Sequence, residues 1–163
     1  MNPYSIRKVR YEELDSCTQL IRECFDTVAQ EFQLTIQNCP TNGAFIKLEH
    51  LKADWNKGNM MFGLYIDENM AGFMQLEQKG PVVYELEKLA VLPEYRHMGY
   101  GLALIQFAVQ TVAELSAHKI TIGIIEENTR LKKWYQSQGF LHTGTKKFNH
   151  LPFTVGFMEI NIL

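Results

Sequence analysis

The segment that most constrains the fold is Leu89–Leu104, LAVLPEYRHMGYGLAL, where an apolar, strand-like run passes through a short loop into a glycine-punctuated helix start. From Gly101 to His118 the apolar residues Leu104, Ile105, Ala108, Val112 and Leu115 recur at the spacing of one helical face. Lys119–Ile125, KITIGII, then reads as a β-branched strand. A strand, helix, strand succession of this kind is a crossover, so its two strands lie parallel. The chain must therefore build a mixed α/β sheet, with the glycine loop at the carboxyl end of the first of those strands.

The remaining periodicities fit around that unit. Ser5–Arg10 alternates like a short strand, and Tyr11–Phe32 carries Leu14, Cys17, Leu20, Ile21, Cys24 and Val28 at helical spacing. The loop QNCPTNG, Gln37–Gly43, leads to a second helical pattern through Leu48, Leu51 and Trp55 that ends near Gly58. Met60–Ile66 and Ala71–Leu76 flank the polar turn Asp67-Glu68-Asn69 as a hairpin, and Val82–Leu92 follows as another strand. Thr129–Gln138 is a short helix stopped by Gly139, and the last strands are Phe140–Phe148 and Phe153–Ile162. No repeat or linker divides residues 1–163, whose length and 46% hydrophobic content suit one packed core.

Charge and cysteines exclude several functions. A formal net charge of -2, from 16 basic and 18 acidic residues, leaves no electrostatic footprint for nucleic acid or an anionic membrane. Met1–Arg10 lacks the apolar core of a signal peptide and Leu102–Val109 is too short to span a bilayer, so a cytoplasmic protein is expected. Cys17, Cys24 and Cys39 form no CxxC pair and read as free thiols in a reducing compartment, with Cys17 and Cys24 packed on one helix face. The histidines show no zinc-ligand spacing, and no metal is expected.

The chemistry lies in the loop Arg96-His97-Met98-Gly99-Tyr100-Gly101. The first amides of a helix have no internal partners and carry the positive end of its dipole, while glycine lets the main chain approach phosphate oxygens. A pyrophosphate suits such a cradle. A dinucleotide fingerprint would need a glycine at Leu104, and a P-loop would need Gly-Lys-Ser/Thr; neither is present.

This loop resembles the Q/R-x-x-G-x-G/A signature of the GCN5-related N-acetyltransferases, and it follows the strand phrase Leu89-Ala90-Val91-Leu92-Pro93 as in that family. Asn128, Tyr135 and Gly139-Phe140, in NTRLKKWYQSQGF, resemble the family's second signature. The resemblance implies one domain of class α/β (α+β), a GNAT-like fold with a mixed central sheet of about seven strands, parallel only at the crossover pair, and helices on both faces. It implies acetyl-CoA (coenzyme A) as co-substrate, and direct acetyl transfer to a primary amine acceptor, a small molecule or a protein amine, by a monomer or homodimer. The same fold without catalysis would be an acyl-CoA-binding sensor or a partner-binding module.

By the same resemblance, the amides of His97, Met98, Gly99, Tyr100, Gly101 and Leu102 hold the pyrophosphate. Arg96 begins the loop, either as a phosphate ligand or as an exposed arginine. Leu89, Ala90 and Val91 lie beside the pantetheine arm, where a backbone N–H of their strand polarises the acetyl carbonyl. Asn128 bonds the pantetheine, caps its helix, or does both. Tyr135 either protonates the departing thiolate or packs beside Trp134. Glu85 and Glu87, on one face of their strand, are the candidate general bases, with Glu85 at the better offset from Arg96; the alternatives are pairing with a cation, binding the acceptor without proton transfer, or water in their place. His97-Met98 and Lys132-Lys133 depart from the family pattern.

Overall fold

The computed structural model describes residues 2–162, so Met1 and Leu163, the ends of the expected domain, lie outside the described residues. In chain order the elements are β1 Ser5–Lys8, α1 Leu14–Glu31, α2 Leu48–Asn56, β2 Met60–Ile66, β3 Asn69–Gly80, β4 Val83–Val91, α3 Tyr100–Glu114, β5 Lys119–Ile125, α4 Thr129–Ser137, β6 Leu141–Lys147 and β7 Thr154–Asn161. They form a 7-stranded sheet in the order β1-β2-β3-β4-β5-β7-β6. As the crossover requires, β4 and β5 are parallel, and every other pair is antiparallel.

Each face of the sheet has its own core. The apolar stripe of α3, through Leu104, Ile105, Ala108 and Val112, packs with Leu86, Ile120 and Tyr135. On the opposite face Leu14, Cys17, Ile21 and Cys24 of α1 pack with Leu51 of α2, Phe73 and Ala90. Each of the large buried side chains contributes about 1.5–3 kcal/mol to this two-sided sandwich. Burial raises the thiols of Cys17 and Cys24 to about 12, so both stay protonated and act as small apolar side chains.

Several boundaries differ from those expected. The helix pattern running to His118 ends at Glu114, and Ser116 adopts a left-handed φ of 60° that stops it. The Tyr11–Phe32 helix begins as a 3-10 turn, Tyr11–Glu13, before α1 proper. β3 runs past Leu76 to Gly80, because its polar residues Glu77 and Gln78 stay paired with Glu85 and Tyr84 of β4.

Two irregularities of β4 shape the functional region. Pairing with β3 steps from Phe73↔Ala90 to Gln75↔Glu87, so Lys88 and Leu89 together oppose Met74 in a β-bulge, with Lys88 at φ 55°. The extra residue resets the alternation. Leu86 and Leu89 both face the α3 core, whereas Ala90 faces α1.

Pairing of β4 with β5 is confined to Val83↔Lys119, Tyr84↔Ile120 and Glu85↔Thr121. Beyond Glu85 the strands separate, while β4 continues with β3 and β5 continues with β7. The sheet is thereby split along its parallel seam. At the open end the α1–α2 connection crosses the split, where Leu34, Cys39 and Ala44 pack with Phe45, Ile125 and Phe153.

Candidate active site

The loop after β4 enters α3 through alternating backbone conformations. His97 has φ 63°, and Gly99, the residue capping α3, has φ 91°. Successive left- and right-handed residues turn amides into one concavity, the arrangement called a nest, which suits an anion. The first backbone bond into the helix is donated by Ala103 to the Gly99 carbonyl at 3.0 Å, and among the described residues the amides from His97 to Leu102 donate to no other backbone group. No side chain caps the helix. These free donors, at the positive end of α3, fit a pyrophosphate.

The side chains around the nest play varied parts. Those of His97 and Met98 are exposed, so their bulk does not fill the nest. Tyr100 is 1% exposed, and its hydroxyl accepts from the Asn2 amide at 3.0 Å; its phenol belongs to the core. Leu102 is exposed at 37%. Arg96 turns away from the loop: Nε donates to the Val91 carbonyl at 3.1 Å, Nη1 to Thr27 Oγ1 at 2.9 Å and Nη2 to the Cys24 carbonyl at 2.8 Å. Its guanidinium binds the end of β4 to α1. A Cβ placed on Gly101 would meet the Trp134 ring at 3.2 Å, so this glycine also admits the close approach of α4.

Across the split, Asn128 Oδ1 accepts from the Leu131 amide at 3.2 Å, the N-cap of α4. Tyr135 is 7% exposed and packs edge-on against Trp134 and Phe140. Burial alone raises its phenol, which therefore keeps its proton through neutral pH. Lys132, on the same helix, is engaged with Glu126 at 2.7 Å.

On the α2 face Glu85 and Glu87 share a polar cluster. Glu77 Oε1 meets Lys57 Nζ at 2.9 Å and Glu77 Oε2 meets Lys79 Nζ at 3.4 Å, whereas Glu85 has only Lys79, at 3.9 Å. Glu87 Oε2 accepts from Gln75 Nε2 at 3.2 Å and lies 3.6 Å from Lys88 Nζ, while Glu87 Oε1 is sealed with no donor. Burial raises Glu85, and burial reinforced by the neighbouring Glu77 carboxylate raises Glu87 to about 7. Glu87 directly precedes the bulge beside the split; Glu85 sits where the split begins.

The profile of the Acetyltransferase (GNAT) family matches residues 16–140, most of the chain and every element just described except β1, β6 and β7. The chain belongs to this family. An uncharacterised N-acetyltransferase of Mycobacterium bovis is 30% identical over 82 residues, covering 50% of this chain and 53% of that protein. A mycothiol acetyltransferase of Corynebacterium glutamicum is 27% identical over 89 residues, 55% of this chain and 30% of that protein. The chain thus spans about half, or less, of the length of these relatives. Among solved structures the ribosomal-protein-S18-alanine N-acetyltransferase of Escherichia coli superposes with TM-score 0.79 at 15% identity, over 98% of this chain and 94% of that one. The Vibrio cholerae spermidine N-acetyltransferase, solved with CoA and spermine, gives 0.73 at 19% identity, over 97% and 95%.

Within this GNAT framework the structure adds residues that sequence reasoning missed. Gln75 and Asp54 belong to the Glu87 cluster, Lys88 supplies both the bulge and a cation, and Trp134 packs on the loop glycine. Only Gln75 left a trace in the sequence, as a polar residue inside the apolar run of β3. Among the described residues no group of three or more His, Cys, Asp or Glu is placed to hold a metal ion, and no helix is long and apolar enough to cross a membrane.

Proposed function

We propose that this GNAT protein transfers the acetyl group of acetyl-CoA directly to a primary amine. The observation that carries the reading is the run of unpartnered amides from His97 to Leu102, which opens beside a sheet split at β4 and β5. Those amides would hold the pyrophosphate, and the edge of β4 from Leu89 to Val91 would lie along the pantetheine arm. When bound, acetyl-CoA supplies an activated thioester that an unprotonated amine attacks.

The chain's own groups then manage charge and protons. A backbone N–H on the β4 edge, freed from pairing with β5, offers a donor to developing negative charge on the acetyl oxygen. Glu87, raised to about 7, is matched to accept the amine's proton, through water, near neutral pH. The sequence favoured Glu85; burial, the bulge and the higher proton affinity favour Glu87, and Glu85 then adds negative charge that attracts a cationic acceptor. Tyr135, holding its proton, serves as the acid for the coenzyme sulfur. No nucleophilic cysteine takes part, since Cys17, Cys24 and Cys39 are all buried and burial raises each thiol.

The test combines calorimetry with thiol release over a panel of primary amines, small and peptidic. Acetyl-CoA should bind, and free thiol should appear only with an amine present. Gly99→Val forces an L-residue into the left-handed region at a cost of roughly 1–2 kcal/mol and distorts the nest, so coenzyme affinity should fall by about tenfold. Unchanged affinity in folded Gly99→Val puts the cradle elsewhere; tight binding with no thiol release on any amine leaves a coenzyme-binding protein without transferase activity.

A further inference from the structure

Gln75 lies on β3 directly opposite Glu87 in the strand pairing, and it is 0% exposed. A side-chain amide so completely buried calls for a partner at each polar atom, yet its Oε1 meets no donor among the described residues. Its Nε2 donates to Asp54 Oδ2 at 3.1 Å and to Glu87 Oε2 at 3.2 Å. Both acceptors are carboxylates, so the amide orientation is forced: turned over, its oxygen would face them both. Asp54 is itself held by Lys88 Nζ at 3.1 Å. One oxygen of Glu87 is therefore tied, through Gln75, to helix α2. The other, Oε1, is buried and meets no donor among the described residues.

We propose that Gln75 is a positioning residue for acetyl transfer: anchored on Asp54, it donates to Glu87 Oε2 and stabilises the ionised carboxylate that must exist before the amine's proton arrives. The proposal rests on the assignment of Glu87 as base. The charged groups facing Glu87 are Asp54 of α2 and Lys57 just beyond it, Glu77 and Lys79 of β3, and Glu85 and Lys88 of β4. Among them the carboxylates oppose ionisation of Glu87 and the lysines favour it; Gln75 is a neutral donor that also favours it. Removing that donor leaves Oε2 unsatisfied in a buried place, and the protonated form gains.

The experiment follows the Glu87 carboxyl directly, by carbon NMR of glutamate-labelled full chain, its signal assigned by loss in Glu87→Gln. In Gln75→Leu, which keeps the volume and removes the amide, the Glu87 midpoint should rise by about half a pH unit or more. The acid limb of the pH–kcat/KM profile should move with it, and acetyl-CoA affinity should hold within about twofold. Gln75→Met serves if the leucine variant does not fold. A Glu87 midpoint unmoved in a folded variant overturns the role of Gln75, while the base assignment survives if Glu87→Gln abolishes the limb. A midpoint that moves without the limb overturns both the base assignment and the part of Gln75 in the reaction.

Discussion

Tyr135 and Gly101 show how much one side chain can decide. If Tyr135 supplies a proton late in the reaction, Tyr135→Phe should lower kcat by about tenfold or more and leave the acetyl-CoA dissociation constant unchanged, because the ring and its contacts with Trp134 and Phe140 remain. Equal kcat under conditions where chemistry limits the rate would make Tyr135 a packing residue. Gly101→Val, by contrast, places a branched side chain against the Trp134 ring, where a Cβ alone already comes to 3.2 Å. Overpacking of this kind costs about 1–3 kcal/mol, and it should appear as changed tryptophan emission together with a lower urea midpoint. Native emission and midpoint would mean that Trp134 yields at no cost. Loss of coenzyme binding in this variant would thus report a displaced α4 as well as a filled nest, and Gly99 is the cleaner probe. The sequence displayed both glycines; it did not display that Gly101 answers to a tryptophan on another helix.

Arg96 is where elements, and not single residues, set the role. Its guanidinium joins the end of β4 to two groups of α1. Arg96→Ala should cost about 1.5–3 kcal/mol in denaturant unfolding while acetyl-CoA affinity changes little. The opposite outcome, affinity lost and stability kept, would make it a phosphate ligand. The order of elements was legible throughout, since helical and strand periodicities depend on burial of one face, and the crossover dictated the parallel pair. The polar end of β3 was not: Glu77 and Lys79 face charged partners, so no apolar alternation marks them as strand. Nor was the Lys88 bulge, because one extra residue leaves no compositional trace. Glu85 and Glu87 kept their common face only because both precede it.

At the scale of the molecule, partly buried carboxylates make stability depend on pH in opposite senses. Glu13, lowered from 4.5 to about 2 chiefly by its hydrogen bond with Arg7, stabilises the fold above pH 4.5, and that contribution fades as pH falls towards 2. Glu87, raised to about 7 chiefly by burial, does the reverse: its contribution is complete below pH 4.5 and is lost as pH rises through 7. Glu87→Gln, a neutral mimic of the protonated acid, should therefore be more stable than the parent at pH 8, by about 1–3 kcal/mol, with the difference vanishing near pH 4. A constant offset in thermal unfolding between those pH values would show that Glu87 ionises normally.

The split between β4 and β5 also has a mechanical consequence. Among the described residues main-chain bonds join the two halves of the sheet only from Val82 to Glu85, and at the far end the α1–α2 connection packs on Ile125 and Phe153 of one half. Such a seam should breathe more readily than the continuous ladders on either side, and amide hydrogen exchange should be fastest along the inner edges of Leu86–Val91 and residues 122–125. A ligand lying in the split would take the place of the missing rungs, so it would slow exchange there most and raise the melting temperature as its concentration rises. The protein would then be a hinge in its free form and a single slab when loaded.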